Sequence, residues 1–154
     1  MKPVEVSTVI QRPIAEVFSY LDVLANHETF TDHFLVDWVL RGPDAGVGAG
    51  VTMQVRAPGR TEEVELTVID AEPPFRSVEE TIGADGRRRT RGTYELTALD
   101  ADRTEVRFRI DPIEVPRSER ALWPLSRAWL RRQNARAMER LREQLEGQPA
   151  HAPA

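Results

Sequence analysis

Two adjacent acids, Glu79 and Glu80, stand in the middle of an otherwise strand-like run, Phe75 to Ile82. Neighbours on a strand face opposite sides, so one of the two must point inward. A carboxyl group removed from water keeps its proton to higher pH and can serve as a general base near neutrality. The flanking Val78 and Ile82 argue that Glu80 is the inward one. A two-residue turn at Asp85-Gly86 would instead align Glu79 with the face of Tyr94. The two criteria disagree, and the first is given slightly more weight. The bland alternative is an outward ion pair to Arg89 or Arg91. Histidine is the usual proton shuttle near neutral pH. His27 and His33, six residues apart on no regular element, make a poor catalytic signature. Glu80, Glu79 and His27 are thus weak catalytic candidates, and no catalytic set is defined.

Other clusters weaken on inspection. Gly46-x-Gly48-x-Gly50 has the look of a phosphate loop, but such a loop needs a following helix whose N-terminus holds the anion. Here a strand-like run, Val51 to Val55, follows, so the glycines are read as a hairpin loop. Arg87, Arg89 and Arg91 share one strand face and could dock an anion or an acyl carrier; the plainer reading is a solvated convex face beside glutamates. The arginines of the C-terminal helix have Glu139 and Glu143 at pairing distances and read as a solvated face. Gln133 and Asn134 interrupt that helix's apolar stripe, so either they face a ligand or trapped water, or they point sideways to solvent.

These residues need elements to position them. Val4 to Ile10 reads as a strand stopped by Arg12-Pro13, and Pro13 suits a helix start. Ile14, Val17, Phe18 and Leu21 recur at helical spacing, and Asp22 would cap a second short helix to about Phe30. From His33 the period becomes two. Phe34, Val36, Trp38 and Leu40 alternate, and then Val51, Met53 and Val55. Val64, Leu66 and Val68 follow, and Phe75 to Ile82, Thr90 to Leu99, and Val106, Phe108 and Ile110 complete the set. Short connections imply antiparallel pairing. A long helix from about Arg117 to Glu146, regular from about Pro124, carries Trp123, Leu130, Ala137, Leu141 and Leu145 on one stripe, with Gly147 as its cap. It is the only element long enough to cover the sheet, and it is expected to contact Val64, Leu66, Val106 and Phe108. The fold class is α+β: a curved antiparallel sheet of about seven strands wrapped round the C-terminal helix, with two short helices after the first strand. Residues 1–147 form one domain, and 148–154 are expected to be a disordered tail that includes His151.

In this order, Ile10-Gln11-Arg12-Pro13-Ile14-Ala15-Glu16-Val17-Phe18, Gly46-Val47-Gly48-Ala49-Gly50, Val68-Ile69-Asp70-Ala71-Glu72-Pro73-Pro74 and Gly92-Thr93-Tyr94-Glu95-Leu96 with Arg103-Thr104-Glu105-Val106 resemble the SRPBCC superfamily. That superfamily has the helix-grip fold and includes START-like lipid-transfer domains and polyketide cyclases/dehydrases. The likeness runs over about residues 3–146. It implies a hydrophobic small-molecule ligand, polyketide-, lipid- or isoprenoid-like, held between sheet and helix. The stretch Asn26-His27-Glu28-Thr29-Phe30-Thr31-Asp32 departs from the common pattern of the helix pair that usually frames the pocket entrance.

The residues expected to line such a pocket are Trp38, Met53, Leu66, Tyr94, Phe108, Trp129, Gln133, Asn134 and Ala137. Aromatics supply area and Met53 tolerates varied shapes. Two alternatives stand beside a ligand carrier. One is a polyketide cyclase or aromatase using an inward glutamate as base; the other is an interaction module whose cavity is filled by its own side chains. Composition narrows the field. The 154 residues include 40% apolar and 30% charged, a globular balance. There is no cysteine, which removes disulfides, Cys-type zinc sites and thiol catalysis. No metal site and no cofactor are expected. Net charge is −4, against a nucleic-acid partner. No run is long and apolar enough for a membrane span, and no signal peptide is evident, so a cytoplasmic location is expected.

Overall fold

The computed structural model describes residues 1–148. Seven strands, β1 (Val4–Ile10), β2 (Leu35–Arg41), β3 (Gly50–Ala57), β4 (Arg60–Glu72), β5 (Arg76–Gly83), β6 (Arg88–Asp100) and β7 (Arg103–Glu114), form one antiparallel sheet. Its order is β1-β7-β6-β5-β4-β3-β2, which puts β5 at the centre. After β1 come α1 (Ile14–Asp22), a 3₁₀ turn at Leu24–His27 and the single-turn α2 (Glu28–Thr31). Pro13 leads into α1 as its fixed φ predicts. Asp22 closes α1 instead of capping a second helix, and Val23 precedes the 3₁₀ turn.

The C-terminal helix is broken. α3 (Arg117–Arg120) is one turn, and α4 (Trp123–Glu146) begins one residue before Pro124, which falls in the first turn where a missing N–H costs nothing. Gly147 ends α4 with its N–H on Glu143 O. Of the expected tail, Gln148 accepts a hydrogen bond from Arg12 at its carbonyl oxygen, 2.8 Å away, and the rest, His151 included, lies outside the described residues.

Sequence alternation fails in one place that matters. Asp37 adopts a left-handed φ of 57° inside a β2 bulge between Val36 and Val39. The bulge leaves Val39 and Leu40 exposed while Leu35 and Trp38 pack inward.

α4 runs beside β1. Trp123 and Arg127 hydrogen-bond Lys2 O and Pro3 O at the start of that strand, and Glu146 meets Gln11 N at its end. Two buried clusters result. One joins Val6, Ile10, Phe18, Tyr94, Leu96, Val106 and Phe108 to Ala137, Met138, Leu141 and Leu145 of α4. The other joins Leu24, Ala49, Val51, Met53, Val64, Leu66 and Val68, with no α4 residue. The helix therefore packs on Val106 and Phe108 as expected, but not on the cluster of Val64 and Leu66. At the β3–β4 side Leu24, and Trp38 packed against it, complete the cluster in place of α4.

Candidate functional site

The inward acid is Glu79, and Glu80 is turned outward. Glu79 is 7% exposed. Glu80 lies 3.8 Å from Arg89 as half of a peripheral ion pair. The reason is register: β5 pairs with β6 so that Glu79 lies opposite Gly92 and Ser77 opposite Tyr94. That register places Glu79 on the same face as Tyr94. Apolar flanks misled because Val78, on the other side of β5, is also buried.

Glu79 occupies a defined row across the sheet: Val68, Glu79, Gly92, Ile110 and Val4 are successive cross-strand partners. Gly92 is the residue that sequence reasoning left without a site role. A Cβ built there would come within 3.0 Å of both Glu79 and Phe108, so the missing side chain is the space in which the Glu79 carboxyl lies. A glycine in mid-strand beside an acid was the available signal.

The next row toward the helix C-terminus is Ser77, Tyr94, Phe108 and Val6. Tyr94 stacks on Phe108 with ring centroids 4.3 Å apart. His27 meets the edge of Tyr94 at 5.5 Å and tilts on Phe30 at 5.2 Å. His27 is buried, with Nε2 2.7 Å from Leu21 O, so Nε2 carries the proton and donates it. Burial drives its pKa down to about 4, and the ring is neutral near pH 7.

Glu79 accepts no hydrogen bond from any described residue, and neither does the Tyr94 hydroxyl find a partner. Burial alone pushes the Glu79 pKa up to about 8. Burial, and then the nearby Glu79 charge, raise the Tyr94 hydroxyl as well. Yet among described residues the only unpartnered side-chain polar atom sealed from a water-sized contact is Arg89 Nε. The polar tips of Glu79 and Tyr94 are therefore not fully sealed, although neither is hydrogen-bonded within the described residues. A buried acid with no protein partner is costly unless something else satisfies it.

The coverage of the sheet thins on one side of Glu79. One row beyond Glu79, Leu66, Thr81, Thr90 and Pro112 are partners, and Thr81, Thr90 and Pro112 are only half-buried. On the helix side, Trp129, Leu130 and Gln133 are half-buried too. They belong to the half of α4 that begins beside Lys2 and Pro3, the end of β1 at which Val4 joins the Glu79 row. Asn134 is buried, with Nδ2 donating to Leu130 O. Gln133 lends only its carbonyl, to His33. His33 Nε2–H donates to it, and His33 Nδ1 accepts from Arg140 at 2.7 Å. Arg140 also pairs with Asp32 at 2.6 Å and donates to Thr29 O, clamping α2 to α4. His33 is structural in this arrangement, and burial lowers its pKa.

The predicted lining set is thus divided. Tyr94, Phe108 and Ala137 share the α4 cluster, and Trp38, Met53 and Leu66 share the other. Glu79 stands on the strand between them. Trp129 packs edge-on against Phe34 at 6.0 Å. The glycine loop turns through positive φ at Gly46 and Gly48 and leads into β3, as a hairpin loop does. Among the described residues, no group of His, Cys, Asp or Glu is placed to hold a metal, and no helix is long and apolar enough to cross a membrane.

Residues 1–146 match the family described as polyketide cyclase/dehydrase and lipid transport. The chain belongs to that family. Its fold is the helix-grip fold of the SRPBCC superfamily, shared with several solved structures. The KanY protein is 14% identical, with 95% of this chain and 98% of that one covered and a TM-score of 0.76. A truncated norcoclaurine synthase from Thalictrum flavum is 14% identical, covering 96% and 95%, with a TM-score of 0.74. An aromatase/cyclase from a Streptomyces species is 16% identical, covering 94% and 93%, with a TM-score of 0.69. No curated protein shows significant sequence similarity to the family member described here.

Proposed function

We propose that this family member binds a hydrophobic small molecule, polyketide-, lipid- or isoprenoid-like, against the concave face of the sheet beneath the N-terminal half of α4. The observation that carries the reading is Glu79, an acid buried on the central strand with no hydrogen-bond partner among the described residues and a carboxyl that is not fully sealed. Apolar walls with a few convergent polar groups are what a small-molecule site requires. Tyr94 and Phe108 supply the aromatic wall. Glu79 and the Tyr94 hydroxyl orient the ligand as hydrogen-bond partners, with Asn134 on the helix side. The family membership supports a small apolar ligand.

A second reading is favoured by a specific observation. A carboxyl with a pKa of about 8 is poised to give and take a proton near pH 7, and an aromatase/cyclase is among the structural neighbours. Glu79 would then be the general base of a cyclisation, with the pocket holding a flexible chain in a reactive bend. His27 is a poor partner in this, since its proton is committed to Leu21 O.

The uncharged dye Nile red tests the site. Thr81→Phe fills the half-open row beside Glu79. We expect the parent protein to bind the dye and the variant to lose binding at least tenfold, with Tm unchanged within about 3 °C, because open space is filled without strain. No dye binding by the parent, together with a large fall in Tm for Thr81→Phe, would mean that side chains fill the space and the chain is an interaction module. A co-purified small molecule in native mass spectra would identify the ligand. Turnover abolished in Glu79→Gln with ligand affinity kept would select the cyclase.

A further inference from the structure

The outer side of α4 carries a second feature, independent of what occupies the concave face. From Trp123 to Met138 the helix contains Arg127, Arg131, Arg132 and Arg136 and no acid, in a chain with 25 acidic and 21 basic residues. Further along the same helix the arginines are neutralised: Arg140 by Asp32, Arg142 by Glu139. Among the described residues Arg131 and Arg132 join no ion pair, and Arg127 spends its Nε on Pro3 O. Unbalanced charge therefore gathers on one stretch.

That stretch borders a groove. Arg127, Arg131 and Arg132, with Ala128 and Ala135, form one wall of an open cleft of about 690 Å3 whose other wall is Glu5, Val6 and Ser7 of β1. β1 is an edge strand of the sheet. The one acid in the cleft, Glu5, is paired with Arg107 at 3.4 Å and leaves the arginines unopposed. The small alanines keep the cleft open.

We propose that this groove is a docking site for an extended acidic segment of a protein partner, with acidic side chains at alternate positions. Arg127 and Arg131 are one helical turn apart, about 6 Å along the axis. Alternate residues of an extended chain on one face are about 6.6 Å apart, so carboxylates at every second position match the guanidinium spacing. From Arg127 to Ala135 is about 12 Å, the reach of roughly four extended residues. Bidentate pairing of guanidinium with carboxylate gives the contact its geometry. A nucleic acid fits less well: no aromatic side chain lines the cleft for base stacking. A flat anionic bilayer cannot follow a cleft between a helix and a strand edge.

The test uses the whole protein and a fluorescein-labelled peptide of four Glu-Ser repeats, read by anisotropy at about 0.15 M salt. Its block isomer, four glutamates then four serines, has the same charge and the wrong spacing. Arg131→Glu with Arg132→Glu should weaken the repeat peptide at least tenfold, and Arg87→Glu with Arg91→Glu, in the turn before β6 and on β6, should leave it unchanged. Ala135→Trp keeps every charge and fills the cleft at an exposed position; it too should cost at least tenfold, with the melting curve of the parent. The block isomer should bind several-fold more weakly. Equal binding of the two isomers, wild-type affinity in Ala135→Trp, no binding up to roughly 1 mM, or tighter binding of a single-stranded oligonucleotide or of phosphatidylglycerol vesicles would each overturn the proposal.

Discussion

At the C-terminal half of α4, Ala137, Met138, Leu141 and Leu145 are all buried against Val6, Ile10, Leu96 and Val106. Even the polar groups there are tied down, as Thr104 donates to Arg12 O at 2.8 Å. At the N-terminal half, Trp129, Leu130 and Gln133 are half-buried, and the sheet rows toward that end of β1 hold Glu79, Thr81 and Thr90. The same helix closes a core at one end and roofs an incompletely covered surface at the other. The difference lies in the sheet side chains. Leucine, valine and isoleucine fill the closed end, whereas threonine, glycine and an acid without a hydrogen bond stand at the half-covered one. A helix stripe drawn from sequence treats both halves alike, and only the facing sheet tells them apart.

The largest effect that would break this contrast comes from equal truncations at the two ends. Leu141→Ala removes a side chain with no exposure and should destabilise by about 2–5 kcal/mol, since packed surroundings cannot collapse into the void. Leu130→Ala, at a half-buried position, should cost about 1 kcal/mol or less, because much of its surface is already uncovered. Urea unfolding of both variants reads the ratio. Similar losses would mean that the two ends are packed alike and that the open end is closed.

The next effect sharpens the contrast through pH. Glu79 keeps its proton in the folded protein up to about pH 8, against an ordinary value of 4.5. Between those values the native state holds a proton that the unfolded chain has lost, so stability falls as pH rises from 4.5 to 8. His27 acts in the opposite sense. Its native pKa of about 4 lies below 6.5, so the unfolded chain takes up the proton first, and stability rises with pH from 4 to 6.5. The two slopes oppose each other from about 4.5 to 6.5, and only the Glu79 slope remains from 6.5 to 8. His33, whose pKa is also lowered, adds to the His27 slope, so stability read by thermal unfolding should not fall in the lower window and should decline in the upper one. Glu79→Gln should abolish the decline and leave the protein more stable than the parent at pH 8, by an amount on the order of 2–4 kcal/mol at most. A parent curve that rises from pH 6.5 to 8 would show Glu79 to be ionised in the fold and paired.

Much of this was legible from residues alone, and the failures share a cause. Strand periods, the Pro13 helix start and the long helix follow from local chemistry, and they appear where the pattern puts them. Asp85-Gly86 also fixed the β5–β6 register: Gly83 pairs with Arg88 and Glu79 with Gly92 in the alignment that such a turn imposes. The weight given to the apolar neighbours of Glu80 was misplaced because the sheet buries Val78 on its second face as well. The β2 bulge at Asp37 is an answer to tertiary packing, which no local period encodes, whereas α4 begins beside Pro124, where the proline sets the start of the regular helix. The division of the lining residues into two clusters belongs with the bulge. It depends on how far the sheet curves, a property of all seven strands together.

The smallest expected effect comes from the one methyl group that would test the cradle of Glu79. Gly92→Ala places a Cβ 3.0 Å from Glu79 Cγ, Glu79 Oε1 and Phe108 Cε1, so these side chains must give way by a few tenths of an ångström. Replacing a mid-strand glycine gains roughly 0.5–1 kcal/mol in backbone entropy, which offsets much of that squeeze. Net stability should therefore move by less than about 1 kcal/mol. The consequence should be chemical instead. The carboxyl is pushed out of its niche toward the half-open Thr81 row, where water reaches it more easily. Desolvation then weakens, the Glu79 pKa falls toward the usual carboxylate range, and the decline in stability between pH 6.5 and 8 flattens. Direct titration of a 13C-labelled Glu79 carboxyl by NMR separates this from mere destabilisation. A midpoint near pH 8 in both parent and variant would mean that the burial of Glu79 does not depend on the space above Gly92.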